Sequence, residues 1–223
     1  MKPSVKLVLA PHPDDEILGA GGAMARWVRE GHVVHVAVVT RGCPPLYSDA
    51  AEALCREEAR AAHRHLGVAT TRFLDFPAAG LDVSPHRELN EALGDLLRSC
   101  APEELYLPFL GDVHLDHQLV FRSAMVAARP CRGGSPRRVY AYETLSETNW
   151  NAPFLTPGFA PNHFVDVTRT LDAKLEAMAL YRSQLQPAPH ERSLPALRAL
   201  ATLRGATVGL GAAEAFIAIR TVI

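Results

Sequence analysis

"VKLVLAPHPDDEILGAGGAMARWVREG", residues 5–31, runs from a short apolar segment through a dense polar cluster into a second apolar segment. Residues 5–10 read as a buried strand, and residues 17–30 have the length and patterning of a helix that Gly31 stops. A strand that feeds a helix through a tight polar loop is half of a βα repeat. The rest of the chain decides whether the repeat continues.

It does continue. "HVVHVAVVT" (32–40) is β-branched, "RGCPPLYSD" is a loop, and "AEALCREEARAAHRHLG" (51–67) is an amphipathic helix ending at Gly67. Strand and helix alternate again as "TRFLDF" (71–76), residues 86–99, "ELYLPF" (104–109) and residues 117–128. "CRGGSPRR" (131–138) reads as a loop. Strands are expected at 139–144 and 163–167, with a helix over "TLDAKLEAMALYRSQL" (170–185). The expected fold is α/β: one domain over residues 1–223, a Rossmann-like three-layer arrangement with a mainly parallel sheet. In such sheets ligands bind beyond the carboxyl ends of the strands, so the residues after each strand carry the functional information.

Composition narrows the partners. The chain has 223 residues, a formal net charge of −1 and no charged tract, which argues against nucleic acid and anionic membranes as partners. The first apolar run is cut short by "PHPDDE", and no later run reaches a membrane span, so a cytoplasmic location is expected. Cys43, Cys55, Cys100 and Cys131 form no CxxC pair, which leaves neither a zinc ribbon nor a redox dithiol.

Two polar clusters follow strands. In the first, His12 precedes Asp14, Asp15 and Glu16, and three adjacent carboxylates in a crevice call for a compensating cation. Alone, H-x-x-D is ambiguous, because acidic residues also favour helix N-termini. The second cluster, "DVHLDH", supplies Asp112, His114, Asp116 and His117 at the opening of another helix. A hydrolytic zinc site has three His or Asp/Glu ligands and an open position. His12, Asp15 and one histidine of the second cluster meet that requirement. Asp14 is then free to take a proton from water, and the remaining histidine to donate to a developing oxyanion.

"PHPDDE" followed about a hundred residues later by "D-x-H-x-D-H" resembles the PIG-L/LmbE-like deacetylase family. "EARAAHRHLGV" (58–68), "YRSQ" (181–184) and "VGLGAAEAF" (208–216) extend the likeness over nearly the whole chain. The resemblance implies a zinc-dependent (Zn2+) hydrolase that removes acetyl groups from N-acetylglucosamine-type sugars, an amidohydrolase acting on small-molecule glycoconjugates. By position it implies His12, Asp15 and His117 as zinc ligands, Asp14 as general base and His114 as the group that stabilises the tetrahedral intermediate. Asp112 and Asp116 would orient the ligand imidazoles, with Glu16 supporting the helix start. The family commonly has an arginine three residues before the glutamate matching Glu58. Here Cys55 stands there, and Arg41, after the second strand, is the candidate replacement for that substrate contact.

Two other readings compete. One is a metal-binding or regulatory module without catalysis, against which Asp14 speaks, since a closed structural site needs no spare base. The other is an NADP-binding protein using "GAGGAM", but the glycines do not follow the strand directly and Met24 occupies the last position of the dinucleotide fingerprint. Those glycines are expected to let the first helix pack closely on the sheet. The aglycone contact is expected in the loops at 41–49 and 146–162, and the aromatic, proline-rich stretch 147–163 offers an interface for a homo-oligomer.

Overall fold

The computed structural model describes residues 3–130, 134–152, 154–156 and 158–223. Its elements run β1 (Val5–Ala10), α1 (Asp15–Arg29), β2 (Val33–Arg41), α2 (Asp49–Leu66), β3 (Thr70–Pro77), α3 (His86–Cys100), β4 (Glu104–Pro108), α4 (Leu115–Ala127), β5 (Arg138–Tyr142), β6 (His163–Asp166), α5 (Leu171–Leu180), α6 (Leu194–Thr207) and β7 (Ala213–Thr221). The strands form one sheet in the order β3-β2-β1-β4-β5-β7-β6. The first five are parallel to one another, and β7 runs antiparallel to both β5 and β6.

Period-2 alternation sorts the strand residues onto two faces. Val8, Ala10, Val34, Val36, Val38 and Tyr106 join a core with residues of α1, α2, α5 and α6. Leu7, Leu9, Ala37, Val39, Leu105 and Leu107 join another with Leu89, Leu93 and Leu97 of α3 and Ala124 of α4. Both faces are buried, as near-continuous apolar strands require, and the fold is the three-layer α/β arrangement expected.

The C-terminal third departs from expectation. Helix α5 ends at Leu180 rather than 185, because Tyr181 and Ser183 leave the helix to hydrogen-bond Glu16 (2.6 Å) and Glu58 (2.5 Å). Two further elements follow, the helix α6 and the strand β7, which inserts between β5 and the edge strand β6. The stretch 131–133 of the loop expected at 131–138, and with it Cys131, lies outside the described residues. Among the described residues no helix is long and apolar enough to cross a membrane.

The glycines of α1 have three distinct neighbours. A Cβ on Gly19 would stand 2.1 Å from the ring of Tyr142 on β5, one on Gly21 would stand 3.1 Å from Lys174, and one on Gly22 would stand 3.0 Å from Val167. Close packing on the sheet therefore holds for Gly19, whereas Gly21 and Gly22 admit α5 and the segment before it. No pyrophosphate can approach glycines so covered. A buried ion pair uses the same space. Glu214 of β7 accepts from the N–H groups of Gly22 (3.0 Å) and Ala23 (2.7 Å), while Lys174 donates to the Leu18 carbonyl (2.7 Å) and to Glu214 (2.6 Å). Leu18 is the acceptor that Gly22 would ordinarily use, so the pair spans one step of the helical ladder.

Candidate active site and metal centre

The loop from β1 into α1 brings His12, Asp14 and Asp15 beyond the carboxyl edge of the sheet, and the loop from β4 into α4 brings Asp112, His114, Asp116 and His117 to the same place. One ligand atom each from His12, Asp15 and His117 lies within 4.8 Å of the others. Asp15 Oδ2 is 3.4 Å from His12 Nδ1 and 3.2 Å from His117 Nε2, and it also accepts the His12 N–H at 2.8 Å. Two atoms here, Asp15 Oδ1 and His117 Nε2, are buried without a hydrogen-bond partner among the described residues. Buried polar atoms are normally satisfied, and a cation between two imidazoles and a carboxylate satisfies both. The ligand set thus fits a divalent metal.

The flanking acids hold the imidazoles. Asp112 Oδ2 is 2.8 Å from His117 Nδ1, and Thr148 donates to the other carboxylate oxygen at 2.5 Å. Asp116 Oδ2 is 3.0 Å from His12 Nε2, and the same carboxylate accepts the N–H groups of Ala79 and Leu81. A second grouping of possible ligands, His12, His114 and Asp116, also comes together. Its carboxylate is already engaged by backbone and by His12, so the first grouping is the better cradle. Burial opposes charge on His117, but Asp15 and Asp112 on either side outweigh it and raise its pKa to about 10.

Asp14 is 1% exposed and caps α1 in a left-handed conformation, φ 103°. Such a backbone in a residue other than glycine is strained and clusters at functional sites. It is held there from behind: the Asp14 N–H donates to Glu16 (3.3 Å), and Glu16 in turn meets Tyr181 Oη (2.6 Å) and His63 Nε2 (2.9 Å). Burial lifts the Asp14 carboxyl well above the usual carboxylate range, Arg192 opposes that, and Asp15 and Glu16 add to it.

His114 caps α4 by accepting the Asp116 N–H on Nδ1 at 3.1 Å. Burial, together with nearby His12, lowers its pKa to about 4, so the ring is neutral near pH 7 and its other nitrogen, Nε2, carries the proton.

These groups open onto a cleft of about 460 Å³ whose lining includes His12, Asp14, His114, Tyr47, Glu147 and Arg192. Arg41, the expected replacement for the family arginine, is exposed at the end of β2 and is not among the lining residues. The guanidinium in the cleft is that of Arg192, with Nη1 3.4 Å from Asp14 Oδ2 and Nη2 3.5 Å from Glu147 Oε1. Sequence reasoning missed Arg192 and Glu147, which lie in loops with no periodicity. "PHERS" (189–193) was the available hint. Cys55 lines the same cleft, and burial with the surrounding acids, Asp14 first, raises its thiol to about 12. In the stretch 147–163, Trp150, Phe154 and Leu155 are exposed.

Comparison with known proteins finds relatives by sequence and by fold. The family model described as PIG-L, GlcNAc-PI de-N-acetylase, matches residues 7–128. The uncharacterized deacetylase YaiS of Escherichia coli (strain K12) is 30% identical over 150 residues, 63% of this chain and 74% of that protein. The 2'-N-acetylparomamine deacetylase of Streptomyces fradiae is 27% identical over 235 residues, 92% of this chain and 83% of that protein. The solved structure of a conserved protein from Thermus thermophilus, TT1542, superposes with a TM-score of 0.79 at 29% identity, covering 98% of this chain and 96% of that one.

Proposed function

The chain belongs to the PIG-L family of GlcNAc-PI de-N-acetylases, and from that membership and the cleft geometry we propose that it is a zinc-dependent deacetylase of N-acetylated amino-sugar conjugates. The observation that carries the reading is the division among adjacent residues. His12, Asp15 and His117 converge with unpartnered atoms, while Asp14, beside them, stays outside the ligand set. A similar relative is, by its name, a 2'-N-acetylparomamine deacetylase, which supports an N-acetylated amino-sugar substrate. Two imidazoles and one carboxylate suit zinc.

When bound, the ion supplies Lewis acidity toward the amide oxygen and a lowered pKa for water. The chain's own residues do the rest. Asp14 takes the proton of the attacking water; its raised pKa makes it a better base than an exposed carboxylate. His114 Nε2–H donates to the amide oxygen as that atom gains charge, a bond stronger in the transition state than before it. Asp14, now carrying the proton, passes it to the nitrogen as the carbon–nitrogen bond breaks, releasing acetate and the free amine.

The test is acetate release from a panel of N-acetylglucosamine conjugates by the zinc-loaded protein, with Asp14→Asn alongside. That variant is expected to keep stoichiometric zinc and lose on the order of 10²–10⁴-fold in turnover. Zinc bound by the unaltered protein with no acetate from any conjugate would overturn the reading in favour of a non-catalytic metal-binding module.

A further inference from the structure

Glu147 has no part in the reaction outlined above, yet its position is tightly specified. It sits in the turn after β5, its N–H donates to the Thr144 carbonyl (3.1 Å), and its carbonyl accepts the Val113 N–H from the β4–α4 loop (3.2 Å). The residue is 8% exposed and lines the cleft together with Asp14 and His114. Its Oε1 is 3.5 Å from Arg192, and its Oε2 is buried without any hydrogen-bond partner among the described residues. A carboxylate oxygen left so is costly to the fold, and a ligand that donates to it removes the cost.

Among the described residues lining the cleft, Arg192 is the only lysine or arginine. Its Nε donates to Ser146 Oγ (2.9 Å) and its Nη1 to Asp14 Oδ2 (3.4 Å), while Nη2 stands 3.5 Å from Glu147 Oε1, which leaves an N–H on each Nη atom for a ligand. The loop that carries it is pinned: Glu191 accepts the Ser146 N–H (2.7 Å) and is also bonded by Asn149, and the rings of His190 and Trp150 meet at 5.9 Å. The cleft wall therefore carries, side by side, a carboxylate whose acceptor capacity is not used up and N–H groups with spare capacity.

A hydroxyl both donates and accepts, and a carboxylate next to a guanidinium matches that property. We propose that Glu147 and Arg192 recognise the sugar ring itself, the Glu147 carboxylate turning on its side chain to accept the hydroxyl on a carbon neighbouring the acetamide-bearing one, and Arg192 donating to the oxygen of that hydroxyl or the next. The inference rests on the amino-sugar reading and adds its substrate requirement: the ring must carry a free hydroxyl on this side, and substitution there excludes a conjugate. Glu147 acts on binding rather than on the proton transfers.

The experiment is NMR titration of zinc-loaded Asp14→Asn protein with methyl N-acetyl-β-D-glucosaminide and its 3-deoxy and 4-deoxy analogues, with and without Glu147→Ala. Removing one of the two hydroxyls is expected to weaken binding roughly 10- to 100-fold, the range for a hydrogen bond to a charged group. Glu147→Ala should weaken the parent sugar by a similar factor and cost that deoxy analogue almost nothing more, a non-additivity that a merely structural role would not produce. Glu147→Gln, which keeps an acceptor of the same shape, should fall between and serves if the alanine variant does not fold. Equal losses on all three sugars, no loss on any, or failure of the methyl glycoside to bind would overturn the proposal. Acetate release in the panel described above is scored separately, so loss of this recognition and loss of the deacetylase reading give different results.

Discussion

His117 stands between two carboxylates, and that placement dictates how the site handles protons. With Asp15 and Asp112 raising it to about 10, the metal-free site holds a proton near pH 7 that a cation must displace. Metal affinity is therefore expected to rise with pH, roughly tenfold per unit below that value, which titration with a competing chelator measures. His117→Ala should lose stoichiometric metal, read by elemental analysis. Cys55 behaves oppositely to a reactive thiol: its pKa of about 12 predicts that iodoacetamide at pH 8 modifies Cys43 well before Cys55, as peptide mapping would reveal. At this scale the sequence was informative where chemistry is dense. His12, Asp14, Asp15, Asp112, His114, Asp116 and His117 were all legible, because two compact motifs each follow a strand. Glu147 and Arg192 were not, since each is an isolated charge in a loop and only folding brings them together.

Among the elements, α1 carries the tightest constraint. Gly19 faces Tyr142, whose hydroxyl donates to the Leu9 carbonyl (2.7 Å), so the ring cannot swing away without breaking a buried bond. Gly19→Ala should cost about 1–3 kcal/mol, the usual penalty for overpacking, and lower the melting temperature by several degrees in a thermal scan. Helices with a broad apolar face and caps, such as α2 between Ser48 and Gly67, are legible nearly to the residue. Helix α6 is not, because only Leu197, Ala201 and Gly205 are buried, a stripe too thin to read as a face. Strand β7 is hidden for a different reason. "AEAFIAIRT" opens with alanine and glutamate, which favour helix, and it becomes a strand because β5 and β6 pair with it on both sides.

At the level of the whole molecule, the first five strands and their helices build the edge that carries the candidate site, and parallel alternation made that half of the sheet readable from periodicity alone. The antiparallel closure by β7 depends on pairing between distant segments, which local patterning does not encode. Stability should report the site as a whole. His117 has a folded-state pKa above its unfolded value, so its contribution in metal-free protein is fully present below about pH 6.5 and is lost as pH rises toward about 10. A bound divalent cation would displace that proton, so the gain in melting temperature on adding zinc to chelator-treated protein is expected to be larger at pH 9 than at pH 6, and calorimetry at the two pH values checks it.

The ion pair of Lys174 on α5 and Glu214 on β7, bonded to the backbone of α1, ties the start of the chain to a distant segment. Gly22 and Ala23 receive their carboxylate from a residue 192 and 191 positions downstream. Until residue 214 has been made, the amides of Gly22 and Ala23 and the ammonium of Lys174 lack their buried partner, so the docking of α1 against α5 and β7 is completed only once that residue is available.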